Sequence, residues 1–128
     1  MRFAYTILYV PDVAAAVAFY EAAFGLERRF LDESGKYAEM ETGSVALAFA
    51  HESMAEANGF LIEPARLEGK ASPVELAFVS DTPADAFAHA VKHGAAVVRP
   101  VEEKPWGQHV GHLRDLNGVV VEICSPMG

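Results

Sequence analysis

An aspartate and a glycine recur thirteen residues apart at two places in the chain. Val10-Pro11-Asp12 opens a stretch that closes at Phe24-Gly25, and Val79-Ser80-Asp81 opens one that closes at His93-Gly94. Asp12 to Asp81 and Gly25 to Gly94 are both steps of 69 residues. Aspartate is a strong helix N-cap, and glycine readily takes the left-handed conformation that ends a helix. The first stretch therefore reads as a helix capped by Asp12 and closed by Gly25, and the second as its repeat, closing at Gly94. A chain of 128 residues that uses one unit twice has to fit both copies into one compact architecture.

The residues around these helices fill in the unit. Module one, about 1–50, opens with Phe3, Tyr5, Ile7, Leu8, Tyr9 and Val10, a β-rich run that Pro11 stops. Val13, Val17, Tyr20 and Phe24 then recur at helical spacing. Strands are predicted over 26–32, 36–41 and 44–50, with Ser34-Gly35 and Thr42-Gly43 as turns. The stretch 51–72, broken by Asn58-Gly59, Pro64 and Gly69-Lys70, reads as an irregular connection. Module two, about 73–128, repeats the order: a strand over 74–79, a helix over 83–94 with Pro83 at its first position, and strands over 95–101, 108–115 and 119–124. The expected fold is α+β: two tandem βαβββ modules forming curved mixed sheets, helices outside and a concave face inside.

Composition limits the function. Ten Lys and Arg against 18 Asp and Glu give a net charge of −8, and no basic cluster exceeds Arg28-Arg29, so nucleic acid is not an expected partner. With no apolar run near the roughly 20 residues of a membrane span, none is expected with a bilayer either. The aromatic N-terminal run reads as a strand rather than a signal peptide, and the single Cys124 cannot form an internal disulfide. A cytoplasmic location is the expectation. No phosphate-cradling loop, Cys-x-x-Cys pair or nucleophile motif is present.

Several residues then identify a family. Val10-Pro11-Asp12 with Phe19-Tyr20 and Phe24-Gly25, Pro105-Trp106-Gly107-Gln108, and Arg114-Asp115-Leu116-Asn117-Gly118 with Glu122 resemble the vicinal-oxygen-chelate superfamily over nearly the whole length. That superfamily includes glyoxalase I, extradiol dioxygenases, and bleomycin- and fosfomycin-resistance proteins. The resemblance implies a homodimer and, in metal-dependent members, four ligands on corresponding strands of the two modules. Matched residue by residue, those positions fall on Tyr5, on Leu47 or Ala48, on Val74 and on Glu122. One carboxylate and a phenol are too few donors for an ordinary divalent site, so no metal or other cofactor is expected. The nearest analogy is then the metal-free bleomycin-resistance branch. It implies antibiotic-resistance-like binding of a small aromatic or cationic molecule. The alternatives are a metal-dependent lyase, isomerase or dioxygenase with non-standard ligands, and a metal-free acid–base enzyme.

The candidate ligand-binding residues are Tyr5, Tyr9, Leu47, Phe78, Trp106, His109 and Glu122. Glu122 interrupts an apolar strand, where a carboxylate needs a partner or water; it either serves a ligand or is held by a neighbouring Arg or His. A turn pairing Asp115 with Gly118 would put Gly111 opposite Glu122 and His109 on its face, making Glu122 and His109 a candidate acid–base pair; a one-residue bulge would reverse this. Tyr5, Tyr9 and Phe78 form either an aromatic wall or ordinary core, and Trp106 is the expected stacking residue. His89 and His93 have the i, i+4 spacing of a two-histidine metal site, although a solvated surface pair is the plainer reading. Glu39 and Glu41 read as a charged solvent face. His51 and His112 carry no assignment.

Overall fold

The computed structural model describes residues 1–127. The chain divides into two compact units, Met1–Pro64 and Ala65 onward. In the first, β1 (Tyr5–Val10) is followed by α1 (Val13–Phe24), β2 (Glu27–Leu31), β3 (Tyr37–Glu41), β4 (Ala46–His51) and a short α2 (Ser53–Ala57). The second runs β5 (Glu75–Val79), α3 (Pro83–Lys92), β6 (Ala96–Glu103), β7 (His109–Arg114) and β8 (Val120–Cys124). Each unit holds one four-stranded mixed sheet, ordered β1-β4-β3-β2 and β5-β8-β7-β6. The first strand of each lies parallel to the last, and the other pairings are antiparallel. The expected βαβββ order therefore holds in both. Helix α2 falls inside the stretch read as irregular.

The ends of α1 form as the sequence dictates. The Asp12 side chain accepts from the Ala15 backbone N–H at 3.0 Å, and Gly25 takes φ 67° while its N–H donates to Glu21 O at 3.1 Å. Val13, Ala16, Val17, Tyr20 and Ala23 of α1 are buried, and Tyr20 meets Phe49 of β4 at 5.0 Å between ring centroids. In α3 the buried residues are Phe87 and Ala90. Ala84, Ala88 and Val91, which share helical spacing with Phe87, are exposed, so the buried face of α3 is narrow. Phe87 itself packs against Gly111, where a Cβ would come within 2.8 Å of the Phe87 ring and of Val101. The bare backbone of β7 at Gly111 admits Phe87.

Because side chains alternate along a strand and register partners share a face, each sheet has a helix-covered face and a face its own helix leaves open. In the first unit Leu47 pairs with Thr6 and Met40 and shares the covered face with Phe49. Tyr5, Ile7 and Tyr9 pair with Ala46, Ala48 and Ala50 on the open face. In the second unit Phe78 pairs with Ile123 on the face of Gly111 and Phe87, whereas Glu75 and Ala77 pair with Val120 and Glu122 on the open one. The helices thus fix which residues of each sheet remain available for chemistry.

Candidate functional site

The β7–β8 hairpin determines which histidine meets Glu122. Its turn holds three residues, because the Asp115 backbone N–H donates to Val119 O at 2.8 Å rather than facing Gly118. The Asp115 Oδ1 accepts from the backbone N–H groups of Asn117 at 2.8 Å and Val119 at 2.9 Å, and Gly118 takes φ 90°. This turn moves the register one residue from the expected pairing, so His112, not Gly111, lies opposite Glu122. His109 does not share the Glu122 face. It stands at the strand end, where its backbone N–H donates to Ser125 Oγ at 2.9 Å.

Register also corrects the comparison between modules. Ala48 pairs with Ile7 in β1, and Glu122 pairs with Ala77 in β5. Two residues before Ile7 is Tyr5; two before Ala77 is Glu75. The structural counterpart of Tyr5 is therefore Glu75 and not Val74, a step of 70 where the helices are offset by 69. On β4 the position facing away from α1 is Ala48 and the one on the α1 side is Leu47, and both are buried.

Glu75, His112 and Glu122 consequently converge from three adjacent strands. His112 Nε2 lies 3.5 Å from Glu75 Oε2 and 3.3 Å from Glu122 Oε1, and one donor atom from each of the three falls within 4.8 Å of the others. Donors bound about 2.0–2.2 Å from one ion stand roughly 3.0–3.5 Å apart; the two His112 distances match that spacing, and the donor set is one that could hold a divalent cation. Burial first, then the hydrogen bond and charge of Glu122, push the Glu75 carboxyl above its usual range, and His112 opposes the shift. The Glu75 side chain keeps 44% of its exposure, so the desolvation is partial. Two carboxylates at one site disfavour each other's charge, and a cation between them relieves that. Ser72, Pro73, Val74, Glu75 and Val120 border an open hollow of about 270 Å³ beside the cluster.

The other expected site residues are placed elsewhere. Phe78 lies on the helix-side face, with its carbonyl accepting a weak 3.7 Å hydrogen bond from the buried Cys124 thiol. Trp106 sits in the β6–β7 turn, its indole N–H donating to Gln108 Oε1 at 2.8 Å with the ring exposed. Tyr5 is half-exposed on the open face of the first sheet, and Tyr9 packs edge-on against Phe60 at 5.9 Å. Glu39, expected in solvent, is buried. It accepts from Tyr37 Oη at 2.8 Å and from Arg29 at 3.2 Å, while Arg29 also makes a two-pronged contact to Glu41, 2.9 Å at each nitrogen. Burial, then the bond to Glu39, raises the Tyr37 phenol above its ordinary range. Sequence reasoning missed Glu75 and His112. The signal for His112 was the two hydrogen bonds a turn aspartate can accept, which lengthen the turn.

Comparison with known proteins agrees with this architecture. The family model for the Glyoxalase/Bleomycin resistance protein/Dioxygenase superfamily matches residues 2–123, and the chain belongs to that superfamily. A glyoxalase-related enzyme from Fulvimarina pelagi is similar at TM-score 0.83 and 21% identity, covering 98% of this chain and 88% of that one. TioX from Micromonospora sp. ML1 is similar at TM-score 0.73 and 19% identity, covering 98% of each chain. A protein of unknown function from Agrobacterium tumefaciens str. C58 reaches TM-score 0.78 and 25% identity over 98% of this chain and 94% of that one. No curated protein matches the chain.

Proposed function

We propose that this protein binds a small organic molecule on the open face of its second sheet, anchored by a divalent cation held by Glu75, His112 and Glu122. The observation carrying this reading is the convergence of two carboxylates and one imidazole at metal-ligand spacing. The raised Glu75 carboxyl supports it, because burial and then the neighbouring Glu122 disfavour its charge, and a cation at the cluster would offset both. When bound, the ion supplies Lewis-acid polarisation to a ligand oxygen. The chain's own residues do the rest. Glu75 and Glu122 set the negative charge, His112 spaces them, and Val74 and Val120 offer apolar surface at the hollow.

Elemental analysis of protein purified without chelators tests this directly. About one equivalent of Ni, Zn, Mn or Fe is expected, lost in Glu122→Gln and His112→Asn. A trace content that neither substitution changes would overturn it. A second reading is favoured by the same raised Glu75 carboxyl: an organic cation, aromatic or not, pairs with the two carboxylates without any metal. Titration of a cationic glycopeptide in the presence of EDTA separates the two, since only the second reading expects heat that Glu122→Gln abolishes. The reading also includes a homodimer, supported by the exposed Ile7 and Val79 on the edge strands β1 and β5. Sedimentation velocity would show about twice the monomer mass.

A further inference from the structure

The geometry points to a second cation site: we propose that His89 and His93 form a two-histidine chelate on the exposed face of α3 for a borderline transition ion, Cu²⁺ ahead of Ni²⁺ or Zn²⁺. The two residues stand one helical turn apart, both exposed, with ring centroids 4.2 Å apart and planes inclined by 36°. Nitrogens bound to one ion at about 2.0–2.1 Å lie roughly 3 Å apart, a separation that rings this close can reach.

Hydrogen bonding prepares the second ring. His93 Nδ1 lies 2.9 Å from the backbone carbonyl of His89. A carbonyl only accepts, so Nδ1 carries the hydrogen and the neutral ring's lone pair falls on Nε2. Metal-ligating histidines commonly hold their second N–H in this way, which fixes tautomer and ring orientation before an ion arrives. The position adds an electrostatic contribution, since the pair sits at the C-terminal end of α3, where the negative end of the helix dipole favours a cation. Asp85 lies one turn earlier on the same stripe and adds negative charge; Lys92 is adjacent and opposes it.

Imidazole pairs without thiolate or additional carboxylate ligands favour Cu²⁺, Ni²⁺ and Zn²⁺ over Mg²⁺ or Ca²⁺, and the ordinary affinity order puts Cu²⁺ first. The site is independent of the Glu75 cluster, with which it shares no residue.

The test is titration of Cu²⁺ into the full chain carrying Glu122→Gln, followed by calorimetry and by electron paramagnetic resonance. One equivalent bound through two nitrogens is expected. His89→Asn and His93→Asn should each weaken binding about 100-fold, the loss of one arm of a chelate, and the double substitution should be little worse than either single one. Mg²⁺ should give no heat. Independent, separately additive effects, or affinity unchanged in both single variants, would overturn the chelate. Circular dichroism checks folding. Should His93→Asn loosen the helix end, His89→Gln and the nitrogen count in the chain retaining both histidines still decide the matter.

Discussion

Single residues govern this molecule through the space they leave empty. Gly111 lacks a Cβ where Phe87 and Val101 press in, so Gly111→Ala overfills a close-packed contact. The expected cost is about 1–3 kcal/mol, read from the denaturant midpoint at an unchanged slope. Gly118→Ala meets a harder obstacle. Its Cβ would come within 2.7 Å of the Arg66 carbonyl oxygen, which is backbone, and its φ of 90° strains any side chain. It should lower the midpoint further than Gly111→Ala. At Cys124, burial and then the neighbouring Glu122 push the thiol up. The thiolate is the reacting form, so iodoacetamide labelling of native protein should stay slow at pH values where unfolded protein reacts promptly. Equal rates in both states would show the strand end to be open.

Among elements, the β7–β8 hairpin couples fold to site. Asp115 is buried and accepts two backbone N–H groups through one oxygen. Asp115→Ala strands both donors, at an expected cost of about 2–3 kcal/mol, and frees the register that sets His112 opposite Glu122. Metal content should fall with stability, whereas Asp115→Asn, which keeps a carbonyl acceptor, should recover much of both. The β2–β3 hairpin behaves differently. Glu41 is held below the usual carboxylate range by the Arg29 hydrogen bond, so the folded state binds fewer protons than the unfolded one in that window. Its contribution is present above the unfolded value and is lost as pH falls through the folded one. Arg29→Gln should therefore flatten the acid limb of the stability profile and lower stability at neutral pH; an unchanged limb would place the acid sensitivity elsewhere.

These elements also explain what the sequence could reveal. Helix α1 was legible because its two ends are coded locally, by an aspartate cap and a left-handed glycine. The order of elements along the second unit followed from repetition. The site was not legible, because facing depends on one residue of turn length: the expected turn put His109 beside Glu122, and the actual three-residue turn puts His112 there. Glu75 was hidden for the same reason, since the helix offset of 69 becomes 70 at the first strand, and a single step changes an apolar Val74 into a carboxylate. Glu39 looked solvated until Arg29 and Tyr37, 10 and 2 residues away, enclosed it.

For the whole molecule, one unit carries the donor cluster and the other does not. Tyr5, Glu39 and Ala48 occupy in the first sheet the register positions that Glu75, His112 and Glu122 hold in the second. There Glu39 is tied to Arg29 and Tyr37, so the first copy has turned its polar position into an internal network. An ion held by Glu75, His112 and Glu122 would bridge β5, β7 and β8 and would bind only the folded arrangement of these strands. Saturation at 100 times the dissociation constant would add about 2.7 kcal/mol. Native-state hydrogen exchange with and without Zn²⁺ should therefore show slower exchange of the amides along β5, β7 and β8. Glu122→Gln should erase the difference. If added Zn²⁺ leaves those three strands exchanging at their metal-free rates, the cluster is not a cation site, and the organic cation becomes the reading to pursue.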